Sequence, residues 1–250
     1  MNTLAVRNLS KSFGGVRAVQ DLSFSLAAGE MLAMIGPNGA GKTTCFNLIN
    51  GQFRPDAGEI FLEEKKIQGL APRQLCRLGV GRSFQVAAVF DTMTVRENVQ
   101  VGLLSQAGSL ASFLASVKDK HLDEANRLLA QVGMTEQAGR QCAELAYGDL
   151  KRVELAVALA GRPRLLLMDE PTAGMAASER HVLMNLVENI AKEKGISVLF
   201  TEHDMDVVFR HADRVIVLAE GELIAQGAPA EVRADARVRR VYLGEDDAHA

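Results

Sequence analysis

Two short segments of this sequence carry residue types that bind phosphate groups, and the first lies at residues 36–44. It reads Gly-Pro-Asn-Gly-Ala-Gly-Lys-Thr-Thr and fits the pattern G-x-x-x-x-G-K-[ST] in full. Glycines let the backbone curl so that successive N–H groups point at phosphate oxygens. In such a loop Lys42 reaches the outer phosphates and the Thr43 hydroxyl is available to Mg²⁺. The predicted nucleotide-binding residues are Gly36, Pro37, Asn38, Gly39, Ala40, Gly41, Lys42, Thr43 and Thr44.

The second segment, residues 165–170, is an apolar run that ends in two acids. Leu-Leu-Leu-Met is followed by Asp169 and Glu170. A buried strand of this kind delivers its last side chains to the carboxyl edge of a parallel sheet, where ligands bind. Asp169 is placed to hold the Mg²⁺ shell, mostly through water. Glu170 would face the terminal phosphate and polarise an attacking water molecule. Together with the phosphate-binding loop, the pair indicates hydrolysis of a nucleoside triphosphate.

The surrounding pattern predicts the elements that position these residues. The apolar run 31–35 predicts a strand before the loop, and residues 45–50 predict the start of a helix after it. Alternating segments at 4–9, 17–26 and 58–62, separated by Gly and Pro turns, predict antiparallel strands. Helical periodicity is found at 95–104, 121–132 and 150–160. After Pro163, strands (165–168, 197–201, 214–218) alternate with helices (178–194, 204–210), which predicts a mainly parallel sheet covered on both faces.

Composition limits the function classes. The 250 residues are 48% hydrophobic and 24% charged, as in an ordinary globular protein, and the formal net charge of −3 gives no support for a nucleic-acid partner. The three cysteines lie far apart and are expected to be reduced thiols without a role. We expect no signal peptide, because no basic stretch precedes a long apolar run at the N-terminus. No apolar run approaches the roughly 20 residues of a membrane span, so any work at a membrane would go through a partner.

In order and spacing these segments resemble the ATP-binding-cassette (ABC) ATPases over nearly the whole chain. Phe13 stands where that family places an aromatic ring against the adenine of ATP. Gln85 matches the glutamine that contacts Mg²⁺ and the attacking water. His203 matches the switch histidine that contacts the γ-phosphate. The resemblance implies that Glu170, His203, Gln85 and Lys42 are catalytic, and that Thr43, Gln85 and Asp169 bind the metal.

The signature motif and the D-loop of that family also have counterparts here, each with a departure. Residues 145–149, Leu-Ala-Tyr-Gly-Asp, match the signature, so Ala146, Tyr147 and Gly148 are expected to bind nucleotide. Ala146 lacks the hydroxyl that the usual serine offers to the γ-phosphate. In the D-loop, residues 173–176, Ala176 replaces a small polar or acidic residue. Because both departures lie on the surface shown to a second ATPase, we hypothesise a heterodimer whose two ATP sites are unequal.

The resemblance implies an α/β fold: a P-loop NTPase core with an N-terminal antiparallel β subdomain and an inserted helical subdomain. The predicted boundaries are 1–85 and 163–244 for the core with its β subdomain, and 86–162 for the helical signature subdomain. The tail at 245–250 is polar and expected to fray.

Four segments (81–85, 94–99, 145–156 and 242–245) are similar to one of the two ATPases of bacterial branched-chain amino-acid importers. This similarity implies ATP and Mg²⁺ as cofactors and a position at the cytoplasmic face of the inner membrane. The implied partners are two transmembrane permease subunits, a second, different ABC ATPase or a second copy of the chain, and an external substrate-binding protein.

Other functions stay open on sequence alone. The same segments suit the ATPase of a urea or amide importer or of a lipopolysaccharide exporter. A non-transport ABC ATPase is a further alternative, although such proteins usually carry paired cassettes, coiled coils or basic surfaces. An unrelated phosphate-loop enzyme, such as a small-molecule kinase, would need no signature motif. A chain that binds ATP mainly to regulate its partner would not need intact Glu170 and His203.

Overall fold

The computed structural model describes residues 2–83, 89–106 and 121–243. The strands are β1 (Asn2–Phe13), β2 (Val16–Ala27), β3 (Met31–Ile35), β4 (Ala57–Leu62), β5 (Lys65–Lys66), β6 (Val80–Ser83), β7 (Leu165–Asp169), β8 (Ser197–Thr201), β9 (Arg214–Ala219) and β10 (Glu222–Gly227). The helices are α1 (Lys42–Ile49), α2 (Pro72–Arg77), α3 (Val95–Gln106), α4 (Leu122–Gln131), α5 (Tyr147–Ala160), α6 (Ala177–Lys194), α7 (Met205–His211), α8 (Pro229–Ala234) and α9 (Ala236–Leu243).

The first sheet is antiparallel and has the strand order β2-β1-β4-β5. Its central strand β1 pairs with β2 and β4, so that Leu4 lies between Leu26 and Leu62. These three leucines are buried, because alternate residues of a strand point to the same face of the sheet. The buried face packs against α1 and the second sheet, in a cluster that includes Phe46 and Leu199.

The second sheet positions the candidate site. Its order is β10-β9-β3-β8-β7-β6; the pairs among β9, β3, β8, β7 and β6 are parallel, and β10 is antiparallel to β9. Every residue of β3, β7 and β8 is buried, as expected for strands covered on both faces. Because the strands are parallel, the segments that follow β3, β7 and β8 emerge at one edge of the sheet.

Three helices, α3, α4 and α5, come between β6 and β7 in the sequence. They pack together through buried apolar side chains. Val99, Leu129 and Val153 belong to this core, which continues to the sheet residue Met168. The first residue of α5 is Tyr147, so residues of the predicted signature form the N-terminal end of this helix. None of the helices in the described ranges is long and apolar enough to cross a membrane.

The predicted fold class is confirmed: an antiparallel sheet built from the N-terminal part of the chain accompanies a mainly parallel sheet, and three helices lie between β6 and β7 in the sequence. Strands β5, β6 and β10 and helices α2, α8 and α9 were not predicted from the sequence. Strand β6 is only four residues long and contains Gly81 and Arg82, so it shows no hydrophobic alternation. The irregular segment at 105–116 and the tail at 245–250 lie largely or wholly outside the described residues, and the domain boundaries stay predictions.

Candidate functional site

The phosphate-binding loop joins β3 to α1 in a conformation that requires glycine at two positions. A Cβ atom on Gly36 would lie 2.2 Å from the carbonyl oxygen of Leu218, and one on Gly41 would lie 2.3 Å from that of Ala18. Gly41 also has a φ of 99° as the N-cap residue of α1. Because no side chain fits at such distances, the glycines allow this loop to press against β2 and β9.

Lys42 is held inside the loop. Its side chain is buried, and Nζ donates to the carbonyl oxygens of Gly36 at 2.6 Å and of Pro37 at 3.1 Å. Burial lowers the pKa of Lys42 from its ordinary value, and the nearby carboxylates of Glu170 and Asp169 act in the opposite direction. The ammonium group is therefore fixed at the base of the loop, next to the predicted acidic pair.

A cavity of about 520 Å³ opens over the loop, a volume suited to a small-molecule ligand. Residues 38–44 and Glu170 line one part of it. The rest is lined by residues that the sequence analysis missed: Val16, Arg17, Ala18, Gln20 and Glu220. They are held at the loop by two backbone hydrogen bonds: the N–H of Gln20 donates to the carbonyl oxygen of Gly221 at 2.9 Å, and the N–H of Gly221 donates to that of Ala40 at 3.1 Å. No local pattern marks them, because β2 and the turn before β10 meet only in the folded chain.

The acidic pair lies at the end of β7 and shares one hydroxyl group. The Oγ1 atom of Thr201 donates to Oδ1 of Asp169 at 2.8 Å and accepts a hydrogen bond from the backbone N–H of Glu170 at 3.0 Å. The guanidinium group of Arg82 lies 3.6 Å from Oδ2 of Asp169. Glu170 has a φ of 49°, a conformation that costs energy for a residue with a Cβ atom and is concentrated at functional sites.

The structure brings His203 and Glu170 into direct contact. Nε2 of His203 lies 2.8 Å from Oε1 of Glu170. The imidazole is half exposed, whereas the carboxylate is mostly buried. Each residue was predicted separately as catalytic; in the folded chain they form one hydrogen-bonded unit beside the loop cavity.

The predicted signature residues form a second surface next to the D-loop. Ala146 is the N-cap residue of α5 and makes no side-chain capping bond. A Cβ atom on Gly148 would lie 3.5 Å from Cε of Met175, and one on Gly174 would lie 3.5 Å from the ring of Tyr147. Among the described residues, the lining of the loop cavity does not include the signature.

The structure places Phe13 at the end of β1, outside the lining of the loop cavity. Phe13 is 42% exposed. Its ring contacts the ring of Phe53 edge-on, with 5.2 Å between the centroids, and Nζ of Lys11 lies 5.4 Å from the Phe13 centroid. Val16, three residues further on, lines the cavity instead. Gln85 lies outside the described residues.

Comparison with known proteins identifies the family. The family model described as ABC transporter matches residues 19–173. The chain belongs to the ABC transporter family. A second model, described as Branched-chain amino acid ATP-binding cassette transporter, matches residues 222–248. The predicted ABC ATPase is thereby confirmed as the family, fold and enzyme class of this chain.

Full-length relatives within the ABC family support this result. The chain is 39% identical over 249 residues to the high-affinity branched-chain amino acid transport ATP-binding protein LivG of Salmonella typhimurium, covering 97% of this chain and 98% of the relative. It is 37% identical over 252 residues to the corresponding protein BraF of Pseudomonas aeruginosa, with the same coverage. The lipopolysaccharide export system ATP-binding protein LptB of Escherichia coli K12 is 34% identical over 246 residues, covering 98% of this chain and 99% of the relative.

Solved ABC structures give the same fold. The ADP conformation of an ATP-binding cassette of an ABC transporter superposes with a TM-score of 0.89 at 33% identity, covering 98% of this chain and all of the other. A nucleotide-free ATP-binding cassette has a TM-score of 0.88 at 32% identity, with the same coverage. The chain is therefore a nucleotide-binding cassette over its whole described length.

Proposed function

We propose that this chain is the ATP-hydrolysing subunit of a membrane importer whose cargo is a branched-chain amino acid. The observation that carries the proposal is the match of residues 222–248 to the branched-chain amino acid cassette model, outside the segment shared by ABC transporters in general. The 39% and 37% identical relatives, named as ATPases of that transport, point the same way. ABC ATPase subunits do not contact the transported substrate, so the substrate assignment rests on sequence similarity to the relatives.

ATP is proposed to bind with its phosphates in the loop cavity. Backbone N–H groups of residues 38–44 and the ammonium group of Lys42 would hold the β- and γ-phosphates. The positive N-terminus of α1 adds to this attraction, because α1 begins at Lys42. Phe13, at the end of β1, would supply its exposed ring to the adenine. Gln85 is proposed as a further ligand from the segment after β6.

The residues at the loop fit Mg²⁺. Thr43 is exposed on the cavity wall, and the Asp169 carboxylate lies at the end of strand β7, so both could supply hard oxygen ligands. Mg²⁺ suits such a site, because it binds few carboxylates and takes its other ligands from phosphates and water. When bound, it would neutralise developing phosphate charge.

Hydrolysis is proposed to depend on Glu170 and His203. The Glu170 carboxylate lines the loop cavity and would orient and polarise the attacking water. His203, hydrogen-bonded to that carboxylate, would fix its orientation and donate to the γ-phosphate. Lys42 would stabilise the charge that develops on the phosphate oxygens.

The signature surface is proposed to complete the site of a second ATPase. Because α5 presents its N-terminus at Tyr147 and Gly148 outside the chain's own cavity, these residues and Ala146 can receive a phosphate only from another chain. The proposed assembly contains two permease subunits, a second ATPase or a second copy of this chain, and an external binding protein. In it the cassette would lie peripherally at the cytoplasmic face of the inner membrane. The core (1–85, 163–244) and helical (86–162) boundaries are kept as proposals.

Purification of the intact complex from native membranes in mild detergent tests this function. The expected result is co-purification of two polytopic permeases and a second ATPase, together with ATP-dependent leucine uptake after reconstitution with the binding protein. Glu170→Gln should abolish uptake and hydrolysis, whereas Glu193→Gln, an exposed residue of α6, should not change them. Lipopolysaccharide-export partners in place of permeases would overturn the importer and favour the function named for the 34% identical relative.

A further inference from the structure

The segment after β8 is bound to the segment after β7 by three consecutive residues. Each of the residues 202–204 makes a side-chain hydrogen bond to a different residue of the stretch 170–180. The pairs are Glu202 with Thr172 (2.6 and 2.8 Å), His203 with Glu170 (2.8 Å) and Asp204 with Arg180 (2.6 Å). The turn that contains the D-loop and the loop that contains the switch histidine are therefore joined along their length.

Arg180 connects these two loops through two nitrogen atoms of its guanidinium group. Its Nε donates to the carbonyl oxygen of Met175 at 3.0 Å, and its Nη1 donates to Oδ2 of Asp204 at 2.6 Å. Met175 closes the turn after β7, because its N–H donates to the carbonyl oxygen of Thr172. A planar guanidinium fixes the direction of both bonds, which a lysine ammonium could not do.

Asp204 also has two roles. Its Oδ1 accepts a hydrogen bond from the backbone N–H of Asp206 and so caps α7, while its Oδ2 accepts from Arg180. The hydrogen bond from Arg180 holds the pKa of Asp204 below its ordinary value, so the carboxylate is charged at neutral pH. Asp204 follows His203 directly. The two bonds of its carboxylate therefore restrain the backbone from which the imidazole projects.

The Arg180–Asp204 pair is better suited to positioning than to stability. About a third of each side chain is exposed (32% and 27%), and partly exposed pairs add little to the free energy of unfolding. What the pair supplies is geometry: a shift of the turn 171–176 would strain the two hydrogen bonds of Arg180 and so pull on Asp204, the residue next to His203. Gly174 and Ala176 in this turn are exposed, so a second ATPase could contact them.

We propose that Arg180 is a positioning residue for hydrolysis: it aligns His203 with Glu170 by fastening the turn at 171–176 to Asp204. Contact of a second ATPase with that turn would then reach the switch histidine through Arg180. The proposal rests on the proposed function, in which Glu170 and His203 act on the γ-phosphate.

The test compares Arg180→Gln, Asp204→Asn and the double variant in the assembled complex. Asparagine is a good N-cap residue, so Asp204→Asn keeps the cap of α7 and loses only the bond to Arg180. Because small displacements of catalytic groups are costly, we expect kcat to fall roughly tenfold in each single variant, with the KM for ATP within about twofold. The double variant should be no worse than either single variant. Arg180→Lys should recover only part of kcat.

Lys66→Gln is the matched control, because it removes an ion pair of the same 2.6 Å length in the first sheet. It should leave kcat and KM unchanged. Unchanged kcat in Arg180→Gln, or effects of Arg180→Gln and Asp204→Asn that multiply, would overturn the proposal. Glu170→Gln, measured in the same assay, separates failure of the Arg180 proposal from failure of the proposed catalytic site. If Glu170→Gln abolishes turnover and Arg180→Gln does not affect it, only the role of Arg180 fails; if Glu170→Gln keeps turnover, the proposed catalytic site itself fails.

Discussion

His203 and Glu170 form one hydrogen-bonded unit, with Nε2 of the histidine 2.8 Å from Oε1 of the glutamate. Glu170 holds a positive φ of 49°, and Thr201 accepts a hydrogen bond from its backbone N–H. The strained backbone, the Thr201 hydroxyl and the imidazole together fix the carboxylate beside the loop cavity. Groups that act as such a unit should show strongly non-additive effects when they are removed.

His203→Ala should therefore lower kcat by about 10²–10³-fold, the usual cost of losing one positioned hydrogen-bond donor to a developing charge. His203→Gln should lose less, because its amide can still donate to Glu170. Steady-state ATP hydrolysis by the assembled complex measures both. The double variant His203→Ala with Glu170→Gln should be as slow as Glu170→Gln alone. Multiplying effects would mean that the two residues act independently.

Gly41→Ala should abolish ATP binding. Its Cβ atom would lie 2.3 Å from the carbonyl oxygen of Ala18, so the loop would have to leave β2. Gly69→Ala is the matched control, because Gly69 also has a positive φ of 79° but no atom within 4 Å of its added Cβ. It should lose only about 1–2 kcal/mol of stability and keep ATP binding. Titration calorimetry with ATP and thermal melting distinguish the two; equal binding by both variants would contradict the loop geometry.

The parts of the site that lie in one continuous segment could be predicted from the sequence. The loop at 36–44 and the acids after β7 carry their chemistry in their own residue types and neighbours. Thr201 could not be found in this way, because a threonine at a strand end becomes informative only when β8 pairs with β7. Arg17 and Gln20 reach the cavity through the contact of β2 with the turn before β10, which no local pattern encodes.

The fold shows the same division. Strands with regular alternation or a long apolar run, such as β2 and β7, were predicted close to their observed bounds. Strand β6 was missed because its pairing with β7 supplies the stability that its own four residues do not indicate. The short helix α2, with Pro72 in its first turn, is too short for a helical period to be visible.

Ala146→Ser tests the missing signature hydroxyl. Ala146 is the N-cap residue of α5, with φ −64° and ψ 153°. A serine at this position should cap the helix and add about 0.5–2 kcal/mol of stability. If the hydroxyl also binds the γ-phosphate held by a second ATPase, hydrolysis at that partner site should rise by about tenfold or more. A charged hydrogen bond worth about 1.5–3 kcal/mol would account for that increase.

Ala228→Ser separates capping from phosphate binding. Ala228 is the N-cap residue of α8 with φ −60° and ψ 152°, nearly the same backbone geometry, but it belongs to a different helix from the signature residues of α5. It should raise the melting temperature and leave hydrolysis unchanged. If Ala146→Ser and Ala228→Ser show the same turnover at the partner site, the missing hydroxyl does not contribute to a difference between the two ATP sites.

The buried histidine His211 should make stability depend on pH. Its Nδ1 lies 3.2 Å from Oε2 of Glu188, and its Nε2 lies 3.2 Å from Nδ1 of His181. Burial lowers its pKa below the ordinary 6.5, helped by His181 and Arg210 and opposed by Glu188. The unfolded chain thus takes up a proton at a pH where the folded chain does not. The contribution of His211 is present above about pH 6.5 and is lost as the pH falls towards the folded pKa.

Urea unfolding at about pH 7.5 and about pH 5.5 measures this dependence. In His211→Asn the loss of free energy between the two pH values should be smaller than in the parent chain, because the titrating group is gone while an amide can still donate to Glu188. His121→Asn is the control, since His121 is exposed and its left-handed backbone, with φ 57°, suits asparagine. That variant should keep the parent's pH dependence. An unaltered dependence in His211→Asn would assign the acid sensitivity to other groups.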